Sequence, residues 1–161
     1  MTSSTIPELT VRREITVAAS QIHAFDVFTR QFNSWWPNAH HIGAVDMAEA
    51  IMEPRTGGRW YERGVDGSEC EWGKVLAWDP PRRVMLEWRL SGEFKVEADC
   101  ARCSEVDVTF APLGPESTHV ELVHRHLERH TLGQQLYTGV SADGGWGSLL
   151  GLFKGVVERR G

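Results

Sequence analysis

No stretch of the 161-residue sequence reaches 18 consecutive apolar residues, and the first residues, MTSSTIPE, have neither a basic start nor an apolar segment. A membrane-spanning helix or a secretory signal requires such segments. An excess of basic charge is also missing, since the formal net charge is -5 and the pI is about 5.8. We therefore expect a cytoplasmic protein that neither inserts into membranes nor binds nucleic acid, with residues 1–8 disordered.

Cysteine is scarce as well. Three cysteines in a chain without an export signal favour reduced thiols over a disulfide framework. Cys100 and Cys103 have the spacing of half a zinc site, but no second pair follows at a matching distance. His124 and His126 complete such a site only if a hairpin brings them close. The sequence predicts no metal site.

The common catalytic and cofactor motifs are missing too. There is no G-x-S-x-G sequence, no phosphate-binding P-loop and no dinucleotide fingerprint, and Gly57 to Arg59 is typical of a turn that enters a strand. We predict no cofactor, and no residue is assigned a catalytic role on this basis.

Apolar periodicity defines the predicted elements. Alternation over 9–17 predicts a first strand, and Ser20 can cap a helix over 21–32. Turn sequences such as PRTGG, GVDG and PLGPE then separate six further strands. Those strands are predicted at about 42–53, 57–64, 69–78, 83–90, 104–111 and 118–127. Helical spacing over 134–159 predicts one helix about 39 Å long.

Three glycines lie on one stripe of this last helix. Gly147, Gly151 and Gly155 are four residues apart, and each costs up to about 1 kcal/mol of helix propensity relative to alanine. Our first interpretation is a close approach of the helix backbone to the sheet or to the small helix. The alternative is space left for a ligand or a partner helix.

Six motifs, together with the order of the elements, resemble a known family. They are WWP (35–37), EPRTGGRWYERG (53–64), EWGKVLAWDPPRRVMLEW (71–88), SEVDVTFAP (104–112), THVELVHR (118–125) and GGWGSLLGLF (144–153). They look like the bacterial branch of the family named after the activator of the heat-shock-protein-ninety ATPase, in the START-like (SRPBCC) superfamily.

The resemblance implies an α+β, helix-grip (START/Bet v 1-like) fold. In that fold a seven-stranded curved antiparallel sheet wraps around a long C-terminal helix, with short helices after the first strand. The motifs cover nearly the whole chain, so we expect a single domain over 1–161.

The resemblance also implies a hydrophobic cavity between the sheet and the C-terminal helix. The leading hypothesis is that this cavity binds an apolar or aromatic small molecule. One alternative is a chaperone ATPase-activating cofactor or interaction module, and a second is a cyclase-like or hydrolase-like enzyme that uses His124. We favour binding over catalysis, because no set of acid–base residues stands out beyond His124 and a possible carboxylate. A homodimer is compatible with the sequence.

Strand alternation predicts which side chains face inward. The inward sets are Val84, Leu86, Trp88 and Leu90, then Val106, Val108 and Phe110, then Val120, Leu122, His124 and His126. A histidine on an apolar wall needs a hydrogen-bond partner, for which Glu62 and Glu71 are candidates. We interpret His124 first as a core histidine and second as a polar anchor for a ligand.

The predicted ligand cavity combines these faces with the tryptophans of the chain, because indoles form rigid pocket walls. Its residues are Trp36, Trp60, Trp72, Trp88, Phe110, His124, Trp146, Leu150 and Phe153. Trp35 and Trp36 are expected to cap the mouth of the cavity. Adjacent His40 and His41 are expected at its rim, facing solvent first and contacting a ligand second, and they point to opposite sides of an extended chain.

Overall fold

Seven antiparallel strands form one curved sheet in the computed structural model, which describes residues 9–37, 42–93, 95–97, 103–142 and 145–159. The strands are β1 (Val11–Val17), β2 (Met47–Met52), β3 (Arg59–Gly64), β4 (Glu69–Asp79), β5 (Arg83–Trp88), β6 (Ser104–Gly114) and β7 (Ser117–Arg125). Their order across the sheet is β1-β7-β6-β5-β4-β3-β2. All seven predicted strands are confirmed. The predicted disorder of residues 1–8 lies outside the described residues.

Helices cover one face of this sheet. Helix α1 (Gln21–Phe28) begins after Ser20, whose hydroxyl accepts a hydrogen bond from the His23 N–H at 3.2 Å. A 3₁₀ turn (Phe32–Ser34) follows, and a second one (Leu127–Arg129) precedes α2 (Gly133–Ser141) and α3 (Trp146–Val157). This arrangement confirms the helix-grip fold.

The C-terminal segment differs from the prediction of one helix over 134–159. It forms two helices, and α3 is only about 18 Å long. Gly145 precedes α3 in a non-helical conformation, with φ -88° and ψ -141°, and a Cβ atom there would lie 2.0 Å from the Val140 carbonyl oxygen. The chain therefore folds back closely onto the end of α2, which a helical period cannot reveal because the interruption falls between two stretches of similar pattern.

The glycine stripe of α3 also differs from our first interpretation. A Cβ atom on Gly151 or Gly155 would have no heavy atom within 4 Å, and one on Gly147 would lie 3.9 Å from the Arg13 Nε. The stripe therefore faces away from the sheet, and the close approach of helix backbone predicted there is wrong.

The inward faces of β5, β6 and β7 are as predicted. Their buried residues are Val84, Leu86, Trp88, Val106, Val108, Phe110, Val120, Leu122 and His124. Leu90, two residues after the end of β5, is also buried. On the helix side, Phe28 of α1 contacts Phe110 of β6 and Phe153 of α3, with ring centroids 5.6 and 5.3 Å apart. The core therefore lies between the sheet and the two helices α1 and α3.

His126 is the exception on β7. The strand ends at Arg125, and His126 has a left-handed backbone conformation with φ 68°. Its side chain is 26% exposed and lies 3.6 Å from the Glu128 carboxylate. The prediction that His126 faces the cavity is wrong, because the strand register does not continue to it.

Within the described ranges, every helix is too short or too polar to span a membrane.

Candidate functional site

Five buried tryptophans form a closed set of contacts between the sheet and α3, which we call the tryptophan cluster. Its members are Trp36, Trp60, Trp72, Trp88 and Trp146. Going round the cluster in the order 36, 72, 60, 88, 146 and back to 36, the ring centroids are 5.4, 5.5, 5.9, 5.7 and 6.2 Å apart. Three of the five pairs are edge-to-face, which is an arrangement that aromatic quadrupoles favour, and the other two are tilted.

Trp72 enters the cluster through a β-bulge. In the β3–β4 pairing Trp60 lies opposite Gly73 and Tyr61 lies opposite Glu71, so Trp72 has no partner of its own. A bulge reorients the side chain of the extra residue. This places the Trp72 indole beside that of Trp60, 5.5 Å away, on the inner face.

A buried carboxylate lies at this end of the cluster. Glu62 is 1% exposed on the inner face of β3, and it accepts hydrogen bonds from the Trp72 Nε1–H at 2.9 Å and from the backbone N–H of Ile42. The expectation that Glu62 or Glu71 is the partner of His124 is wrong, because the two ring nitrogens of His124 are engaged by Trp146 and Ser104. Glu71 lies on the outer face, where it pairs with arginine side chains.

The indole N–H groups of the tryptophan cluster differ in whether they meet a hydrogen-bond acceptor. Trp88 donates to the Leu90 carbonyl at 2.9 Å, and Trp72 and Trp146 each donate to a side chain. The Trp60 Nε1–H is buried and meets no acceptor in the part of the chain that the structure describes. A buried donor without a partner costs about 1 to 3 kcal/mol.

His124 lies at the opposite end of the cluster, where its ring contacts Trp88 at 4.9 Å between centroids. Its Nδ1 accepts the Trp146 Nε1–H at 3.0 Å, and its Nε2 lies 2.8 Å from the Ser104 hydroxyl. An indole N–H can only donate. The neutral imidazole therefore carries its proton on Nε2 and donates it to Ser104.

The chain of hydrogen bonds continues outward to a carboxylate. The Ser104 hydroxyl and backbone N–H both reach the Nε2 of His130, at 2.7 and 3.0 Å. Because a backbone N–H can only donate, this Nε2 is an acceptor, and His130 carries its proton on Nδ1. That nitrogen lies 3.0 Å from Glu97, whose carboxylate also accepts from the Thr131 N–H and hydroxyl.

The electrostatics of these groups agree with the donor assignment. Burial lowers the pKa of His124 well below 6.5, and nearby His130 lowers it further. Burial also lowers the pKa of His130, although its hydrogen bond with Glu97 opposes that shift. At Glu97, burial opposes ionisation, but hydrogen bonds from Thr131 and His130 outweigh it and keep the carboxyl pKa below 4.5. The result is two neutral histidines and one carboxylate at neutral pH.

The nine predicted cavity residues are all buried in one core, but they form two groups. His124 belongs with the tryptophan cluster. Phe110 and Phe153 instead pack against α1 through Phe28, and Leu150 is buried on α3. Trp35 links the groups by contacting Trp36 and Phe153 at 5.8 and 5.7 Å.

Sequence reasoning missed Ser104, His130 and Glu97. Ser104 was within its reach, because alternation backward from Val106 places it on the inner face of β6. His130 and Glu97 lie outside the strands, 33 residues apart, and no period of the sequence relates them. Of the predicted rim and metal features, His40, His41 and Cys100 lie outside the described residues. Among the residues that the structure describes, no group of three histidine, cysteine or acidic side chains is arranged to hold a metal ion.

A separate groove of about 400 Å³ lies on the surface beside α1. Its lining includes Ser20, His23, Asp26, Pro80 and Pro81. None of the nine predicted cavity residues contributes to it, so it is distinct from the tryptophan cluster.

Comparison with known proteins identifies a family and several solved structures that this chain resembles. A family model described as Activator of Hsp90 ATPase homolog 1-like protein matches residues 18–158. The chain is similar to Txn09, an anthrahydroquino-γ-pyrone synthase complexed with SUM, with 38% identity over 94% of this chain and 97% of that chain and a TM-score of 0.65. A comparison with curated proteins gave no match.

Two further solved structures extend the comparison. CalC, a self-sacrificing resistance protein from Micromonospora echinospora, is 30% identical over 94% of this chain and 96% of that chain, with a TM-score of 0.69. Protein NE0264 from Nitrosomonas europaea, 14% identical over 95% and 96% of the two chains with a TM-score of 0.66, shares the fold alone. With a family model over most of its length and two relatives at 30% identity or more, the chain belongs to the Activator of Hsp90 ATPase homolog 1-like family of the START-like (SRPBCC) superfamily.

Proposed function

We propose that this protein binds an apolar aromatic small molecule that carries an acceptor oxygen, between the inner face of the sheet and α3. The ligand would lie against the tryptophan cluster and exchange indole–indole contacts for ligand–indole contacts. Rigid indoles are suited to this because they lose little side-chain entropy when they bind a flat molecule. Trp36 has the highest exposure in the cluster, at 7%, which makes it the expected point of entry.

The observation that carries the proposal is the unpartnered N–H of Trp60. A carbonyl or ether oxygen on the ligand would accept from this N–H and remove the cost of burying it without a partner. A purely hydrocarbon ligand would leave that cost in place. The relative named for an anthrahydroquino-γ-pyrone, an oxygenated fused aromatic system, supports the same ligand class.

The test compares 9,10-anthraquinone with anthracene, which share a ring frame and differ in the two carbonyl groups. Equilibrium dialysis should show anthraquinone bound about three- to tenfold more tightly than anthracene, the value of one hydrogen bond. Trp60→Phe should remove that preference. Trp78→Phe is the matched control, because Trp78 packs beside Phe25 and Arg30 outside the cluster and should keep it. Absence of binding by both compounds would contradict the proposal.

A second candidate is an enzyme of the cyclase type. The synthase relative at 38% identity favours it, and so does His124, a neutral imidazole whose Nδ1 faces the tryptophan cluster. Such an imidazole can accept a proton from a bound substrate. His124→Gln separates the two candidates, because loss of turnover with retained ligand affinity supports the enzyme and loss of stability alone supports a structural role.

A further inference from the structure

We infer that Glu97, His130 and Ser104 form a positioning chain that holds the Nδ1 lone pair of His124 toward the tryptophan cluster, as the acceptor for a hydroxyl group of the bound ligand. This inference rests on the proposed function and narrows its ligand class to aromatic molecules with a free phenolic or enolic hydroxyl. In the structure, Trp146 donates its indole N–H to that lone pair.

The imidazole of His124 has one defined orientation. Its Nε2–H is directed at Ser104 and away from the cluster, while its Nδ1 meets an indole of the cluster. A neutral imidazole in this tautomer offers only a lone pair on the cluster side. A ligand carbonyl at that point would face the lone pair and be repelled, whereas a hydroxyl would donate to it.

The outer part of the chain keeps the imidazole in this state. The tautomer of His130 is also fixed, because a proton on its Nε2 would point at the Ser104 backbone N–H, 3.0 Å away. Glu97 in turn is fixed by two hydrogen bonds from Thr131, at 2.7 and 3.0 Å. Since every donor points toward Glu97, the negative charge at the end of the chain strengthens each acceptor before it, including Nδ1 of His124.

Trp146 is the group that a ligand hydroxyl would replace. A phenolic hydroxyl can donate to Nδ1 while its oxygen accepts from the Trp146 N–H, so the exchange leaves neither buried group without a partner. The displaced Trp146 ring already contacts Trp88 and Trp36 at 5.7 and 6.2 Å, and a flat ligand would lie among these same rings.

The first experiment uses the protein alone. ¹⁵N NMR of the histidine side chains at neutral pH distinguishes a protonated from an unprotonated ring nitrogen. We expect Nε2–H on His124 and Nδ1–H on His130. The opposite tautomer on either residue, or a charged imidazolium on His124, would overturn the inference.

The second experiment compares 2-hydroxyanthraquinone with 2-methoxyanthraquinone at a pH below the phenol pKa. The 2-hydroxyl is too far from the quinone carbonyls to bond to them internally, so it is free to donate. We expect the hydroxy compound to bind about three- to tenfold more tightly. Equal binding of the two compounds would overturn this inference and leave the proposed function standing. Absence of binding by either would remove both.

A substitution that removes the charge of Glu97 tests its positioning role. Glu97→Gln should reduce the preference for hydroxyl over methoxy, because the acceptor strength of Nδ1 depends on the negative charge at the end of the chain. Glu93→Gln is the matched control, since Glu93 is exposed four residues earlier in the same segment. A preference that is unaffected by Glu97→Gln would overturn the positioning role even if the variant is less stable.

Discussion

Trp146 donates its indole N–H to Nδ1 of His124 over 3.0 Å, in a core where neither residue is more than 2% exposed. Because the donor belongs to α3 and the acceptor to β7, this bond joins the helix to the sheet at the candidate site. It also decides the tautomer of His124, since an indole cannot accept. The position of α3 and the acid–base state of the site are therefore coupled through one hydrogen bond.

The stability cost of losing this bond can be separated from the cost of losing an indole. Trp146→Phe and Trp60→Phe remove the same atoms from equally buried positions, but only the first leaves a buried acceptor without its donor. We expect Trp146→Phe to lower the free energy of unfolding by about 1 to 3 kcal/mol more than Trp60→Phe does. Urea denaturation of the two variants measures the difference, and equal losses would show that the Trp146–His124 bond adds nothing to stability.

Stability should fall in mildly acidic solution because the pKa values of His124 and His130 are lowered in the folded state. Below about pH 6.5 the unfolded chain binds protons that the folded chain does not, so unfolding is favoured as the pH falls. Each histidine should lower the free energy of unfolding by up to about 1.4 kcal/mol for each pH unit. This contribution ends when the pH reaches the pKa of that histidine in the folded protein. Glu97, with its lowered carboxyl pKa, adds to the loss only below about pH 4.5.

Chemical denaturation at a series of pH values checks this slope. His124→Gln should reduce the slope of the free energy of unfolding against pH below about pH 6.5, because one of the two titrating histidines is gone. A free energy of unfolding that stays constant as the pH is lowered through that range would contradict the assignment of neutral buried histidines.

The predictable part of the site is the part that strand alternation controls. Trp88 and His124 were assigned to the inner face from their neighbours in β5 and β7, and both are there. Trp72 reaches the inner face through a bulge, which breaks the period and leaves no sign in composition. The strands followed from their turn signals, and the helix-grip fold followed from the resemblance of their order and of six motifs to a known family.

The unpredictable part depends on loops and on close backbone contacts. Glu97 and His130 meet through tertiary structure, and neither belongs to a periodic element. The break at Gly145 depends on its approach to the Val140 carbonyl, which only the folded chain reveals. The chaperone alternative and the homodimer stay predictions, because they concern partners rather than the fold.

Two glycines of the C-terminal segment should respond to alanine in opposite directions. Gly151→Ala adds a methyl group where nothing lies within 4 Å, in a helix interior, so we expect a gain of about 0.5 to 1 kcal/mol in the free energy of unfolding. Gly145→Ala would place a Cβ atom 2.0 Å from the Val140 carbonyl oxygen and should destabilise the protein. Thermal denaturation of both variants decides the point, and a loss on Gly151→Ala would mean that the stripe is in contact after all.

The last prediction concerns the charge of Glu62, the buried carboxylate beside Trp72. Burial raises the pKa of the Cys70 thiol, and the negative charge of Glu62 raises it further. Glu62→Gln should therefore lower the Cys70 pKa and increase the thiolate fraction at a given pH. The rate of Cys70 alkylation by iodoacetamide, followed by peptide mass spectrometry, should rise. Glu69→Gln, an exposed carboxylate on β4, is the control that should leave the rate unchanged. If Glu62→Gln also leaves it unchanged, the Glu62 side chain does not act on Cys70 as an anion.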